Sequence, residues 1–157
     1  MLTPVLILHV LAALIFLGPV TFAVSAFPKA ALAAHNGEGH AAGRAQILHR
    51  VSSTYGMLSL LVPLLGVAVM FTEMSYWREG RFHASIALSL VAWIILLLLI
   101  LPKQRKAMGS LNLLGVEEHD GDEDFSGLDW QKNTKQMNMF GGIFSLLWVI
   151  VAVLMVI

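Results

Sequence analysis

The sequence predicts an all-α integral membrane protein with four transmembrane helices in an up-down bundle. Of its 157 residues, 57% are hydrophobic and only 13% are charged, a composition that few soluble domains of this size have. Four segments contain no Asp, Glu, Lys or Arg, and each approaches the ~20 residues that a helix needs to cross ~30 Å of hydrocarbon. These segments are residues 3–27, 51–71, 82–101 and 137–157. Backbone groups in lipid must be hydrogen-bonded within the protein, and the segments lack the alternating pattern of barrel strands, so we expect helices.

The end of the first span is similar to part of a signal peptide. "VSA" at residues 24–26 is similar to a signal-peptide cleavage site, but no basic segment precedes it and the apolar run is too long. We therefore expect the first span, residues 3–27, to be a retained helix.

Pro19 in the first span and Pro63 in the second lack a backbone N–H, so we expect both helices to bend near these positions.

The third and fourth spans are separated by the longest polar segment of the chain. This loop covers residues 102–136, and it lies between the span at 82–101 and the span at 137–157. The four spans and their loops form one predicted membrane domain over residues 1–157.

The distribution of basic residues predicts the orientation. The first and third loops carry eight basic residues and the second loop carries two. Because basic loops stay in the cytoplasm, we expect the first and third loops there and both termini outside, in a bacterial plasma membrane. The eight are Lys29, Arg44, Arg50, Lys103, Arg105, Lys106, Lys132 and Lys135, and the two are Arg78 and Arg81.

Small residues recur at intervals of three, four or seven along the second and fourth spans, which is the pattern of a helix-packing seam. Small seam residues allow close backbone approach, which supplies the contacts that hold helices together in lipid. The predicted seam consists of Gly56, Ser59 and Gly66 in the second span and Gly141, Ser145 and Ala152 in the fourth. Leu96 and Leu147 are expected to face lipid.

The spans offer few groups for chemistry. Ion pumps and ion-coupled carriers usually hold a charged side chain within the membrane, and the four spans hold none. The chain has no cysteine and no net charge, which gives no thiolate metal site and no reason to expect nucleic acid. We expect no catalytic residue, no metal and no cofactor.

Histidine supports one alternative function. A b-type haem needs imidazole ligands at matching depth, and His9 and His83 are the candidates for a haem-binding electron-transfer protein. The simpler interpretation, which we favour, is that His9 is a hydrogen-bonded residue in the helix packing. A further alternative is a small-solute carrier or channel, which rests only on the bent helices and their polar stripe.

The long loop carries an acidic run with two aromatic residues. Asp122 and Asp124 precede Phe125, and Trp130 follows shortly after. Acidic runs are usually solvated surface. Aromatic residues beside them favour an anchored contact with a basic partner protein, so these four residues are the predicted docking site.

The chain also resembles known proteins. The segment "ILHVLAALIFLGPVTFAVSAF" followed by "ILHRVSSTYGMLSLLVPLLGVAVM" resembles a family of bacterial four-helix integral membrane proteins of unknown function. In size and number of spans the chain is similar to small accessory subunits of the actinobacterial respiratory supercomplex of cytochrome bcc and cytochrome oxidase. That resemblance implies larger integral membrane subunits as partners, in contact with lipid. We therefore expect a non-catalytic accessory subunit of a membrane complex, and the complex that the resemblance favours is a respiratory one.

Overall fold

The computed structural model describes residues 4–115, 118 and 124–157, and within them all regular structure is helical. Four long helices are present: α1 (Pro4–His35), α2 (Ala41–Thr72), α3 (Gly80–Ser110) and α4 (Trp130–Val156). Each is long and apolar enough to cross a membrane. The predictions of an all-helical chain and of four helices suited to span a membrane are confirmed.

The helices are longer than the apolar spans, and the additional turns lie mostly at one end of the bundle. We call this end the polar extension, which consists of residues 28–35, 41–50, 102–110 and 130–136. These segments are rich in Ala, Lys, Arg and Gln, which are good helix formers, so a charge that ends an apolar span does not end the helix. The first loop therefore shrinks to residues 36–40, and the third to residues 111–129.

The helix ends have local causes. Gly37 has a φ of 78°, and this left-handed conformation after α1 is the usual way in which a helix terminates at glycine. At the start of α4, the Asp129 carboxylate accepts a hydrogen bond of 3.0 Å from the backbone N–H of Lys132, which caps the helix. A short 3₁₀ helix, Met74–Arg78, lies in the connection between α2 and α3.

The helices pack in chain order around the bundle. α1 lies against α2 and α4, and α3 lies against α4 and α2. Helices that follow each other through short connections run antiparallel, so this is an up-and-down four-helix bundle.

Three helices are irregular next to a proline. α1 has a π-helical segment at Ala13–Leu17 and α3 has one at Leu96–Ile100, while α2 is interrupted by a turn at residues 59–60. A proline clashes with the carbonyl four residues before it. That position falls inside the irregular segment for Pro19, Pro63 and Pro102 alike. The prolines therefore account for all three interruptions.

The interior contains two hydrophobic cores. The first lies within the apolar spans of α1, α3 and α4 and consists of Val20, Val24, Ala92, Leu96, Ile100, Phe144, Trp148 and Val151. The second lies largely in the polar extension and consists of Phe27, Ala30, Ala31, Ala45, Ala107, Met108 and Met137. Leu113, Leu114 and Leu128 of the third loop cover the second core. The polar extension is thus a packed layer that continues the bundle.

Candidate functional site

A buried group of polar side chains joins α2 to α3 near the junction of the two cores. We call it the His49 cluster, and it consists of His49, Ser52 and Gln104, which expose 6%, 0% and 1% of their surfaces. The Nδ1 atom of His49 lies 3.1 Å from Oε1 of Gln104. The Gln104 carboxamide also donates a hydrogen bond of 3.2 Å from Nε2 to the Ser52 hydroxyl. Because an amide oxygen only accepts, Nδ1 of His49 is the donor in this pair.

The third loop connects the His49 cluster to the surface. Nε2 of His49 lies 3.7 Å from a carboxylate oxygen of Glu118, a side chain that is 44% exposed. The backbone carbonyl of Glu118 accepts hydrogen bonds of 2.7 and 3.3 Å from the guanidinium of Arg105. Arg105 therefore holds Glu118 beside the imidazole, and polar groups run from the surface through His49 to Ser52.

No sequence motif marks Gln104. Its only sequence feature is its spacing at steps of four from the apolar residues Leu96, Ile100 and Met108, and the structure buries all three. A glutamine at a helical position whose neighbours on the same face are all buried must find its hydrogen-bond partners inside the protein.

His9 is bound within the bundle rather than paired with His83. Nδ1 of His9 lies 3.0 Å from the carbonyl oxygen of Val62 in α2. Its ring also lies against Gly66, where an added Cβ would be 3.2 Å from Cε1. The exposed His83 has Nδ1 3.4 Å from the Glu79 carbonyl oxygen and packs against the Trp77 ring. The two imidazoles thus lie against different backbone carbonyls, His9 against that of Val62 in α2 and His83 against that of Glu79 just before α3.

All three predicted seam glycines lie at close helix contacts, and that of Gly66 is the contact with His9 described above. A Cβ at Gly56 would be 2.8 Å from Cδ2 of Leu96, and a Cβ at Gly141 would be 3.2 Å from Cγ1 of Val24. The Gly56 carbonyl also accepts a hydrogen bond of 3.1 Å from the Trp93 indole. The expectation that Leu96 faces lipid is wrong, because Leu96 is fully buried against Gly56.

The remaining seam residues differ in their surroundings. Ser59 is buried and its hydroxyl donates to the Gly56 carbonyl at 2.7 Å, while the Ser145 hydroxyl donates to the Gly141 carbonyl at 2.9 Å. Both hydroxyls thus bond to their own helix. Ala152 lies on the exposed side of α4, so the structure places it outside the internal seam.

The predicted docking residues are largely used within the chain. Phe125 lies over Gly109, and Trp130 stacks on His35 with ring centroids 4.4 Å apart. These rings cover the end of the bundle because α3 and α4 extend into the polar layer, and both rings remain partly exposed. Asp124 is exposed and accepts a hydrogen bond of 2.7 Å from the backbone N–H of Ser126. Asp122 lies outside the described residues.

The chemistry available to the buried polar groups follows from their partners. Imidazole, carboxamide, hydroxyl and indole groups link neighbouring helices through neutral hydrogen bonds, which hold helices in register. Among the described residues, Ser85, Thr134 and Trp148 each bury a polar atom that has no hydrogen-bond partner.

No protein-family model, no curated protein and no solved structure matches this chain.

Proposed function

We propose that this protein is a non-catalytic subunit that packs against larger integral membrane subunits and stabilises their assembly. The main polar contacts inside the bundle support this role, since His9, Trp93 and Gln104 each bond to a neighbouring helix. Such contacts contribute on average about 0.6 kcal/mol each in a membrane. They favour a rigid element whose interactions with other molecules take place on its outer surface.

The outer face of α4 is the proposed contact surface, and Gly142 is the observation that carries the proposal. Gly142 is exposed and has open space around the position of a Cβ. On the same face lie the exposed side chains Leu146, Val149 and Val153. An exposed glycine within an apolar helix face allows another helix to approach closely. Its neighbour Gly141 serves the internal packing against Val24, so the two glycines lie on different sides of α4.

The respiratory assignment comes from the resemblance to supercomplex subunits described above. In this proposal the protein sits in a bacterial plasma membrane with its polar extension in the cytoplasm, which follows from the count of basic residues. The cytochrome bcc and cytochrome oxidase subunits are the first partners to test.

Gentle detergent extraction of the tagged protein, followed by identification of the co-purifying chains, tests the proposal. We expect larger integral membrane subunits to co-purify with the wild-type protein. The Gly142→Leu variant should fold as the wild type does, because the site is open, and should release these subunits because leucine fills the proposed contact. Leu98→Ala, an exposed change on α3, is the control. A chain that purifies alone under conditions that preserve known complexes of the same membrane contradicts the proposal.

A further inference from the structure

An open groove runs along the outside of the bundle between α1 and α2. Its volume is about 870 Å³, and it extends from Phe22 in the apolar span of α1 to Asn36 and Glu38 at the tip of the first loop. The 14 steps along the chain from Phe22 to Asn36 correspond to roughly 20 Å along a helix. The groove therefore passes from the level of the apolar spans to the level of the polar extension.

Small residues of α1 form the floor of the groove. Ser25, Ala26, Ala30 and Ala33 line it, and their short side chains leave a depression beside α2. Phe22, which exposes 69% of its surface, stands at its apolar end, and Ile47, which exposes 66%, lies one turn from Arg44 on the α2 side. This end offers an apolar channel along the charge-free span of α1.

The middle of the groove, at the level of the polar extension, is basic. Lys29 from α1 and Arg44 from α2 both line it and both are exposed. Among residues 4–115, 118 and 124–157, neither side chain has a carboxylate within 4.0 Å, the distance of an ion pair. Glu38 is the acidic residue at the loop tip of the groove, so the two cations exceed the one carboxylate.

We propose that the groove binds a phospholipid with an acidic headgroup. The phosphate lies between Lys29 and Arg44, and an acyl chain follows the small residues of α1 toward Phe22. A ligand with this chemistry must carry an anionic group beside Lys29 and an apolar chain over the roughly 10 Å from Lys29 to Phe22, which describes a phospholipid. Basic pockets between transmembrane helices are known to hold acidic lipid headgroups. The inference does not depend on the proposed function, because it needs only the insertion of α1 and α2 into a bilayer.

Native mass spectrometry of the purified full-length protein tests the site. The protein is stripped of lipid and then mixed with phosphatidylglycerol or with phosphatidylcholine at equal concentration. We expect phosphatidylglycerol to be retained in preference to phosphatidylcholine. Each cation should contribute roughly a fivefold gain in affinity, so Lys29→Gln with Arg44→Gln should weaken phosphatidylglycerol binding roughly 25-fold. Inorganic phosphate in millimolar excess should not compete, because it lacks the apolar part.

Matched variants separate the groove from general attraction to charge. Lys132→Gln with Lys135→Gln removes two exposed cations from the same end of the bundle but outside the groove, and it should leave binding within twofold. Ser25→Trp fills the apolar part without a change in charge and should also weaken binding. Glu38→Gln removes the opposing carboxylate and should strengthen it.

Three results would overturn the inference. The first is equal retention of the two lipids by the wild-type protein. The second is an equal loss in the two double-charge variants, which shows attraction to net charge alone. The third combines two observations on the double variant Lys29→Gln with Arg44→Gln. If its lipid binding is unchanged and it releases a co-purifying subunit, the groove is a protein interface.

Discussion

The imidazole of His49 and the carboxamide of Gln104 lie 3.1 Å apart inside the bundle, although 55 residues separate them along the chain. Gln104 in turn binds Ser52, so one side chain of α3 satisfies two side chains of α2. The contact lies near the junction of the two hydrophobic cores. It connects the bundle's apolar part with its polar extension.

Replacement of Gln104 by leucine should destabilise the protein. The variant leaves the buried His49 and Ser52 side chains without their partner, which costs about 1–3 kcal/mol. The double variant His49→Leu with Gln104→Leu should lose less than the sum of the two single variants, because both partners are removed together. Chemical unfolding in detergent measures the difference, and strictly additive losses contradict a direct interaction.

Gly56→Leu should lower the stability of the protein, whereas Gly142→Leu should leave it unchanged. A side chain at Gly56 collides with the buried Leu96, whereas Gly142 has open space around it. Overpacking of a close contact costs about 1–3 kcal/mol, so Gly56→Leu should lower the thermal midpoint in detergent and Gly142→Leu should not. Equal midpoints for the two variants would refute the packing interpretation.

Cysteine labelling in intact cells tests the orientation. A cysteine at Ser126 in the third loop should react only with a reagent that crosses the membrane, and one at Ser75 between α2 and α3 should react with an impermeant reagent. Both serines are exposed, so accessibility in the fold does not limit either reaction. The reverse pattern places the basic loops outside, contrary to the positive-inside rule.

The purified protein should show no Soret band, and His9→Ala should leave its complex assembled. His9 is bound to the Val62 carbonyl and is not in contact with His83, so its removal costs one interhelical hydrogen bond. That loss is no more than about 1–2 kcal/mol. An absorption spectrum shows whether a Soret band is present, and a thermal melt measures the loss of stability in His9→Ala. A Soret band that disappears in His9→Ala supports the electron-transfer alternative instead.

Asp124 should titrate below the usual range of an aspartate. Hydrogen bonds from the Ser126 side chain and backbone stabilise its carboxylate and lower its pKa. Because the pKa is lower in the folded chain, the stabilisation of this turn is present above the unfolded pKa and is lost as the pH falls through the folded one. NMR titration of the carboxyl carbon measures the pKa, which Ser126→Ala should raise. An unchanged value in that variant argues against the side-chain bond.

The sequence by itself determined the number and the approximate positions of the four helices. Apolar runs of this length without charge have few structures open to them, since lipid leaves backbone groups unsatisfied unless they form helices or barrels. The interruptions at Pro19 and Pro63 also follow from local chemistry, because a missing N–H and a steric clash act within one turn. The residue that each interruption affects was therefore predictable.

Only the tertiary structure decided which side of each helix faces inward. Within an apolar span both the protein interior and the lipid are apolar, so hydrophobicity does not distinguish the two sides. The sequence therefore predicts that Leu96 faces lipid although it is buried, and that Ala152 belongs to the seam although it is exposed. The partner of Gln104 and the opposite surroundings of Gly141 and Gly142 were hidden for a related reason. Each depends on residues from another helix, brought close by packing between segments distant in the chain.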